Sequence, residues 1–338
     1  MTLTTAVGIV VVGRNEGDYL HGSLTSALAN KTKVVYVDSG STDDSLEIAA
    51  ALNVDIVQLD PSTPFTAPRA YNAGVSHLLT TDPNLEFVQF LDGDAELNPS
   101  WMTAAYRTIT SHPNVAVVCG RRRERFPQKS PYNLVADIEW DTDLGIVSTC
   151  GPEAMMRLSL FQQVGGFNGT LIAGDEPELC FRLRQAGGQI LRIDADSSHH
   201  DMDMMKFQTW WQRSRRGGYA FAEEAWIHRT NPAGYRLREC SRIWFWAFFF
   251  PLTAIALAWP TQGISLLALP VGYAAHIAKN YLWAINKRGY PTQKALIYSL
   301  FCLLMKFAKG HGQVEFLWCK LQRRRRGLIE YRPKQVQS

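Results

Sequence analysis

Phe87-Val88-Gln89-Phe90-Leu91-Asp92-Gly93-Asp94 is a short apolar run that breaks off into two carboxylates separated by one glycine. A run of this length, rich in aromatic and branched residues and closed by turn formers, reads as a buried strand. Comparable runs occupy residues 8–12, 34–37, 54–59 and 115–118, and helical patterns, notably 43–52 and 70–79, lie between them. Strand-helix alternation predicts an α/β fold with a mainly parallel mixed sheet flanked by helices. Ligands of such sheets bind beyond the carboxyl ends of the strands. The residues expected there are Arg14-Asn15-Glu16, Asp38-Ser39-Gly40-Ser41 and Asp92-Gly93-Asp94.

All three clusters are polar. No GxGxxG follows the first strand and no GxxxxGK[ST] occurs in the chain, so a nucleotide here would rely on carboxylates and a metal ion rather than a glycine cradle. Asp92 and Asp94 can converge on one hard cation, Mg²⁺ or Mn²⁺, which binds oxygen ligands and bridges diphosphate oxygens. Asp38, at a strand end, can accept hydrogen bonds from a base or ribose, whereas Gly40 and Thr42 are explained by a turn leading into a capped helix. In Gly174-Asp175-Glu176-Pro177 a helix is expected to start with Pro177 at its first position and Glu176 as N-cap. The helix dipole would then favour the ionised form of Glu176, which suits a proton acceptor.

His199-His200-Asp201 follows a strand-like stretch at 190–193. A neutral imidazole is a competent Mn²⁺ ligand, and the sequence does not choose between the two histidines. Arg213, Arg215 and Arg216 are candidates for a diphosphate clamp, or for a basic helix face turned to a membrane. Arg121-Arg122-Arg123-Glu124-Arg125 reads as a solvated loop.

The net charge of +4 hides a strong asymmetry. Residues 1–205 hold 14 Lys and Arg against 26 Asp and Glu, residues 206–242 hold 8 against 3, and residues 279–338 hold 13 against 2. Between them, residues 243–278 carry no Asp, Glu, Lys or Arg. That stretch exceeds the about 20 residues of one membrane crossing, so a transmembrane helical hairpin over 243–285 is expected, turning at Pro260-Thr261-Gln262-Gly263. Basic flanks place both its ends on the cytoplasmic side. Residues 295–308 predict an interfacial helix, and Arg323-Arg324-Arg325-Arg326 a contact with anionic lipid headgroups. No aromatic-interleaved basic fold points to nucleic acid. The six cysteines are scattered without a CxxC pair, which argues for reduced thiols rather than a zinc site or disulfide framework.

Taken in order, the stretches Val10 to Glu16, Val37 to Asp43, Arg69-Ala70-Tyr71-Asn72-Ala73-Gly74, Asp92-Gly93-Asp94, Gly165-Gly166-Phe167 and the helix from Asp175 to Arg184 resemble the family 2 inverting glycosyltransferases with the GT-A fold. The likeness covers roughly residues 5–230. It implies a UDP- or GDP-linked sugar donor, a glycan or lipid-linked acceptor, and a divalent metal. It further implies that Glu16 and Asp38 contact the nucleoside, with Arg14 in the same cluster. Arg69 and Asn72 would line the donor pocket, Asp92 would face the ribose or donor sugar, and Asp94 would hold the metal, with His199 or His200 as a further metal or phosphate contact. The family's late acidic pair is usually Glu-Asp with the second residue as general base. Here it reads Asp175-Glu176, which assigns Glu176 by position, one methylene longer, with Asp175 as its neighbour. Arg213 and Arg216 fall near an element that processive synthases use, with Arg216 in place of its tryptophan.

The expected organisation is a catalytic domain at 1–230, a basic juxtamembrane segment at 231–242, the hairpin at 243–285 and a basic interfacial tail at 286–338. The expected setting is the cytoplasmic face of the cell membrane, in exopolysaccharide or surface-glycan assembly. A nucleotidyltransferase and a non-catalytic membrane scaffold derived from a transferase are the rival readings.

Overall fold

The computed structural model describes residues 2–324. The chain divides into two units, one made of residues up to Phe126 together with Glu139–Met202, the other of Pro127–Ile138 and the residues from Asp203 onward. The division between these compact units falls near residue 202, because the helix that follows packs with the C-terminal helices.

In the first unit the elements run α1 (Leu3–Ala6), β1 (Val7–Gly13), α2 (Asp18–Leu28), β2 (Lys33–Asp38), α3 (Ser45–Ala51), β3 (Asp55–Gln58), α4 (Ala67–Thr81), β4 (Phe87–Asp92), β5 (Ala95–Leu97), α5 (Trp101–Ser111) and β6 (Val115–Glu124). After α6 (Pro131–Trp140) come β7 (Gly145–Val147), β8 (Ala154–Arg157), α7 (Leu158–Gln163), α8 (Asp175–Gln185) and β9 (Gln189–His200). The strands form one sheet in the order β3-β2-β1-β4-β8-β6-β9-β5, with β7 beside β9.

The five strands expected from the apolar runs are all present. The sheet is parallel only across β3, β2, β1 and β4 and again between β6 and β9. The pairings of β4 with β8, β8 with β6, and β9 with β5 and β7 are antiparallel. "Mainly parallel" thus holds for the N-terminal half alone. The short strands β5, β7 and β8 are too brief to show a period of two in sequence.

Burial on both faces explains why β1 reads as an unbroken apolar run. Val10 and Val12 enter one core with Ala70, Tyr71 and Val75 of α4 and Leu179 and Cys180 of α8. Ile9 and Val11 enter the other, with Leu20 and Leu24 of α2 and Trp101 and Met102 of α5. Trp101 donates its indole N–H to Gln89 Oε1 at 2.9 Å, so the polar residue inside β4 is satisfied.

In the second unit the helices are α9 (Phe207–Ile227), α10 (Leu237–Trp244), a π-helical turn (Phe245–Phe249), α11 (Phe250–Ala256), a 3₁₀ turn (Ile264–Leu267), α12 (Ala268–Arg288) and α13 (Thr292–Leu321). α9 and α13 cross at backbone contact. A Cβ on Gly218 would lie 2.1 Å from Lys309 O, and one on Gly312 would lie 2.0 Å from Arg215 O. Arg215 Nε donates to Glu315 Oε2 at 2.8 Å beside that crossing.

The expected transmembrane hairpin is not formed. Among the described residues no helix is long and apolar enough to cross a membrane. The first limb passes through the π-helical turn in helical backbone but ends at Ala256, and the second, α12, carries His276, Lys279 and Asn280 in its middle and later turns. The third segment is a 30-residue helix rather than a short interfacial one. Of the arginine run, Arg325 and Arg326 lie outside the described residues.

Candidate active site

Strand register builds the site. Gly13 pairs with Asp38 and Val12 with Asp92, so the carboxyl ends of β2, β1 and β4 stand in one row. Gly93 N–H donates to Val12 O at 2.7 Å and Ser39 N–H to Gly13 O at 3.0 Å, which fastens the three strand-end loops together.

At the β1–β2 end, Asn15 is left-handed (φ +57°), and its side chain accepts from Thr42 N–H at 2.7 Å. Asp38 is buried, and it accepts from Tyr36 O–H at 3.1 Å and from Gly40 and Ser41 N–H at 2.9 Å each. Its carboxylate therefore shapes the turn, which the sequence reading had attributed to Gly40 and Thr42 alone. Glu16 Oε1 lies 3.4 Å from Arg14 N–H, and the Arg14 guanidinium lies over the Phe65 ring at 5.4 Å. Gly40 (φ +79°) is the only residue type that fits beneath that ring without strain, since a Cβ would meet Phe65 at 2.8 Å.

Two residues expected to line the donor pocket are engaged with backbone. Arg69 donates to Thr63 O at 2.7 Å and Asp60 O at 2.8 Å. Asn72 holds Phe167 from both sides, donating to its carbonyl at 2.8 Å and accepting from its N–H at 2.9 Å. These bonds fix the loops at 60–64 and 165–169 around the site.

Asp92 sits between two donors, Tyr71 O–H at 2.5 Å and Arg122 Nη2 at 3.2 Å. Arg122 also faces Glu153 Oε1 at 3.2 Å and lies over the Trp140 ring at 4.9 Å. This corrects the reading of residues 121–125 as a solvated loop. β6 extends through Glu124, so Arg122 is a strand residue pointing at the site. Sequence reasoning also missed Tyr71 and Glu153. Burial, aided by Asp92 and Asp94 and opposed by Arg122, pushes the Glu153 carboxyl up to about 7.

Asp94 and His200 come together, with His200 Nε2 3.1 Å from Asp94 Oδ1. β5 and β9 place Ala95 opposite His200 and Glu96 opposite His199. Successive strand residues point to opposite faces, so His200, and not His199, shares the side of Asp94. One carboxylate and one imidazole fit a borderline divalent cation that keeps further positions for water or phosphate oxygens. Among the described residues no three His, Cys, Asp or Glu groups form a ready-made metal cage. Asp92, expected to share a cation with Asp94, instead has both oxygens engaged by Tyr71 and Arg122.

α8 begins at Asp175, with Gly174 (φ +77°) as N-cap. Both carboxylates of the acidic pair are therefore inside the first turn, and Pro177 is third, not first. The helix starts earlier than expected because left-handed Gly174 makes the cap. The dipole does not keep Glu176 at an ordinary carboxylate pKa. Burial, then Asp175 and Asp92, push it well above that range. Burial, together with Asp92, Glu176 and Asp175, also pushes the Tyr71 hydroxyl well above its ordinary range. Glu178 anchors the helix through Arg182, whose Nη2 donates to Oε2 at 2.7 Å while Nη1 donates to Val164 O at 2.7 Å.

Arg213 and Arg216 lie on α9 in the second unit. The first-unit site is thus composed of Asp92, Asp94, Asp175, Glu176 and His200, with Tyr71, Arg122 and Glu153 supporting them.

Arg122→Gln is expected to destabilise the first unit by about 3 kcal/mol, since it leaves the Glu153 carboxylate buried without its counter-charge. The folded-state pKa of Glu153 is raised, so stability falls as pH climbs from the ordinary carboxylate range through about 7. The deficit of the variant is therefore largest above pH 7 and shrinks below it, where Glu153 is protonated. Urea unfolding of both chains across pH 5 to pH 8 reads this directly.

Residues 8–164 match the model of the family "Glycosyl transferase family 2". The O-antigen chain rhamnosyltransferase WbaN of Salmonella anatum is 26% identical over 213 residues, covering 59% of this chain and 65% of that protein. The pre-mycofactocin glycosyltransferase of Mycobacterium tuberculosis is 28% identical over 200 residues, covering 54% and 40%. The chain thus spans less than two thirds of the length of the curated relatives it matches. Among solved structures, the mannosyltransferase PcManGT from Pyrobaculum calidifontis, in complex with GDP-Man and Mn²⁺, superposes with a TM-score of 0.60 at 17% identity, covering 93% of this chain and 87% of that one. S. aureus TarS 1-349 superposes with a TM-score of 0.50 at 17% identity, covering 94% and 92%. At such identity the likeness concerns the fold. That family match covers a little under half of the chain, on an α/β sheet whose fold the GT-A-like structural neighbours share.

Proposed function

We propose that the protein is an inverting glycosyltransferase that moves a sugar from a UDP- or GDP-linked donor to a hydroxyl of a glycan or lipid-linked acceptor. Its setting is the assembly of a surface polysaccharide at the cytoplasmic face of the cell membrane. The observation that carries this reading is the pairing of Asp94 with His200 beyond the β4 carboxylate Asp92, with Asp175 and Glu176 of α8 near enough to act electrostatically on Asp92's partner Tyr71. The rhamnosyltransferase relative supports the glycan setting.

In this reading Arg14, Glu16 and the strand-end turn of Asp38 receive the nucleoside, and Asp92, held by Tyr71 and Arg122, faces the ribose or donor sugar. Glu176 Oε takes the proton of the acceptor hydroxyl as its oxygen forms a bond to the anomeric carbon. The bond from that carbon to the diphosphate breaks on the opposite face, so configuration inverts. Asp94 and His200 would hold a divalent cation. When bound, such an ion supplies positive charge at the leaving diphosphate. A single carboxylate base with a cation suits transfer better than hydrolysis, which brackets the bond with two carboxylates.

Incubating the full chain with UDP- and GDP-sugars, Mn²⁺ and candidate acceptors tests the reading. Release of nucleoside diphosphate with transfer of the sugar is expected. Pyrophosphate release would identify a nucleotidyltransferase instead, and silence with every donor would favour a non-catalytic scaffold.

A further inference from the structure

The second unit carries a large apolar surface that its own helices do not cover. The inner side of the α11–α12 pair is filled: the Trp246 ring lies 4.7 Å from that of His276, and Phe250 lies 5.5 Å from Tyr273 and directly over Gly272. On the outer side, Phe249, Leu252, Ile255, Ile264 and Leu267 are each more than half exposed, and Trp259, at the turn between them, is 94% exposed. A contiguous patch of this kind on a globular unit marks an interaction surface.

Three observations say what covers it. The first is the backbone of the tip. Leu257 N–H donates to Thr253 O, Ala258 N–H to Ile255 O, Thr261 N–H to Leu257 O, Gln262 N–H to Trp259 O and Gly263 N–H to Ala258 O. The hydroxyl of Thr261 donates to Leu257 O and that of Ser265 to Ala254 O. A turn that satisfies these amides and hydroxyls within itself lowers the cost of entering the edge of a hydrocarbon layer. The second is charge. Residues 240–314 contain no Asp or Glu, while Arg242 of α10 and Lys279 and Lys287 of α12 are exposed. A second copy docked on the same face would set cation against cation with no acid in the stretch to pair them, whereas anionic headgroups would neutralise the rim. The third is exposed tryptophan, with Trp259 at the tip and Trp283 on α12, a residue that favours the interfacial layer a shallow anchor occupies.

We infer that the α11–α12 tip, residues 249–267, is a monotopic anchor that seats in one leaflet of an anionic lipid bilayer without crossing it, with the lysines and arginines of α10 and α12 at the headgroups. The inference rests on the proposed function only for the lipid-delivered acceptor; the surface itself stands on the second unit's geometry.

The test is flotation of the full chain with vesicles of phosphatidylglycerol and phosphatidylcholine, and with vesicles of phosphatidylcholine alone. The parent chain is expected to float with the mixed vesicles and at least tenfold less with the neutral ones. The variant L252E/I255E/W259E, altered only at exposed positions and keeping the whole arginine tail, is expected to lose at least tenfold in partitioning, with its circular-dichroism melt unchanged. Partitioning of that variant within twofold of the parent would overturn the anchor and leave the basic tail as the lipid contact. A parent chain that ignores both vesicles but forms a dimer that the variant dissociates would also overturn it, assigning the face to a second copy. Neither vesicle carries donor or acceptor, so a chain that floats yet transfers no sugar fails the functional reading alone.

Discussion

Glu176→Gln is expected to lower kcat by about 10³-fold, within the range that a positioned general base contributes, while the Kd for the nucleotide-sugar donor changes less than about threefold. The amide keeps the size of the side chain and removes only its ability to take a proton. Glu176 occupies the second position of α8, and the helix start keeps its anchor two residues later through Glu178 and Arg182. Isothermal titration with donor and a steady-state assay separate the two effects. A collapse of donor binding would show that Glu176 holds the donor and that Asp175, which is buried at the helix start, must be considered as the base.

On the proposed mechanism the same residue sets the pH profile. Burial and the neighbouring carboxylates raise the pKa of Glu176 well above the carboxylate range. The base works only when deprotonated, so kcat/KM is expected to fall as pH drops through that raised value, at a higher pH than an ordinary glutamate would give. Glu176→Asp would keep an acid limb, whereas Glu176→Gln would remove it.

The residues of the strand ends were legible because a turn after an apolar run must be polar and because β1, β2 and β4 are buried on both faces. Their partners were not. Arg122 and Glu153 meet Asp92 only because β8 runs antiparallel between β4 and β6, a pairing that three- and four-residue strands do not announce. The run Arg121 to Arg125 looked like a charged loop for the same reason: nothing local says that β6 continues past Gly120. His199 and His200 were equivalent as letters, and the β5–β9 register made them different.

The stretch without charges at 243–278 shows the opposite failure. Length and apolarity exceeded the requirement for one crossing and came close to that for two, yet they describe composition and not continuity. The first limb stops at Ala256 before the turn through Pro260 and Gly263 (φ +86°), and α12 carries His276, Lys279 and Asn280, so neither gives the long apolar helix that a crossing needs. What composition had registered correctly was an apolar surface that needs a cover.

Asp94→Ala is the prediction that bears most directly on the cation. Asp94 and His200 are the first-unit pair whose donor atoms already lie 3.1 Å apart on one side of the sheet edge, and removing the carboxylate leaves a lone imidazole. A single neutral ligand does not hold a hard divalent ion against water, so Mn²⁺ binding measured by electron paramagnetic resonance is expected to weaken by about 10²-fold or more. Mn²⁺ should then give little gain in donor affinity over EDTA. His200→Ala is expected to act in the same direction, because it removes the other member of the pair, while His199→Ala should leave Mn²⁺ binding within about twofold, its side chain being on the opposite face of β9. Asp92→Asn separates the two carboxylates: Asp92 is held by Tyr71 and Arg122, so its loss should weaken donor binding equally with and without Mn²⁺. If His199→Ala rather than His200→Ala abolished the Mn²⁺ signal, the cation would have to lie on the other face of the sheet edge, and the pairing of Asp94 with His200 would be a structural ion pair alone.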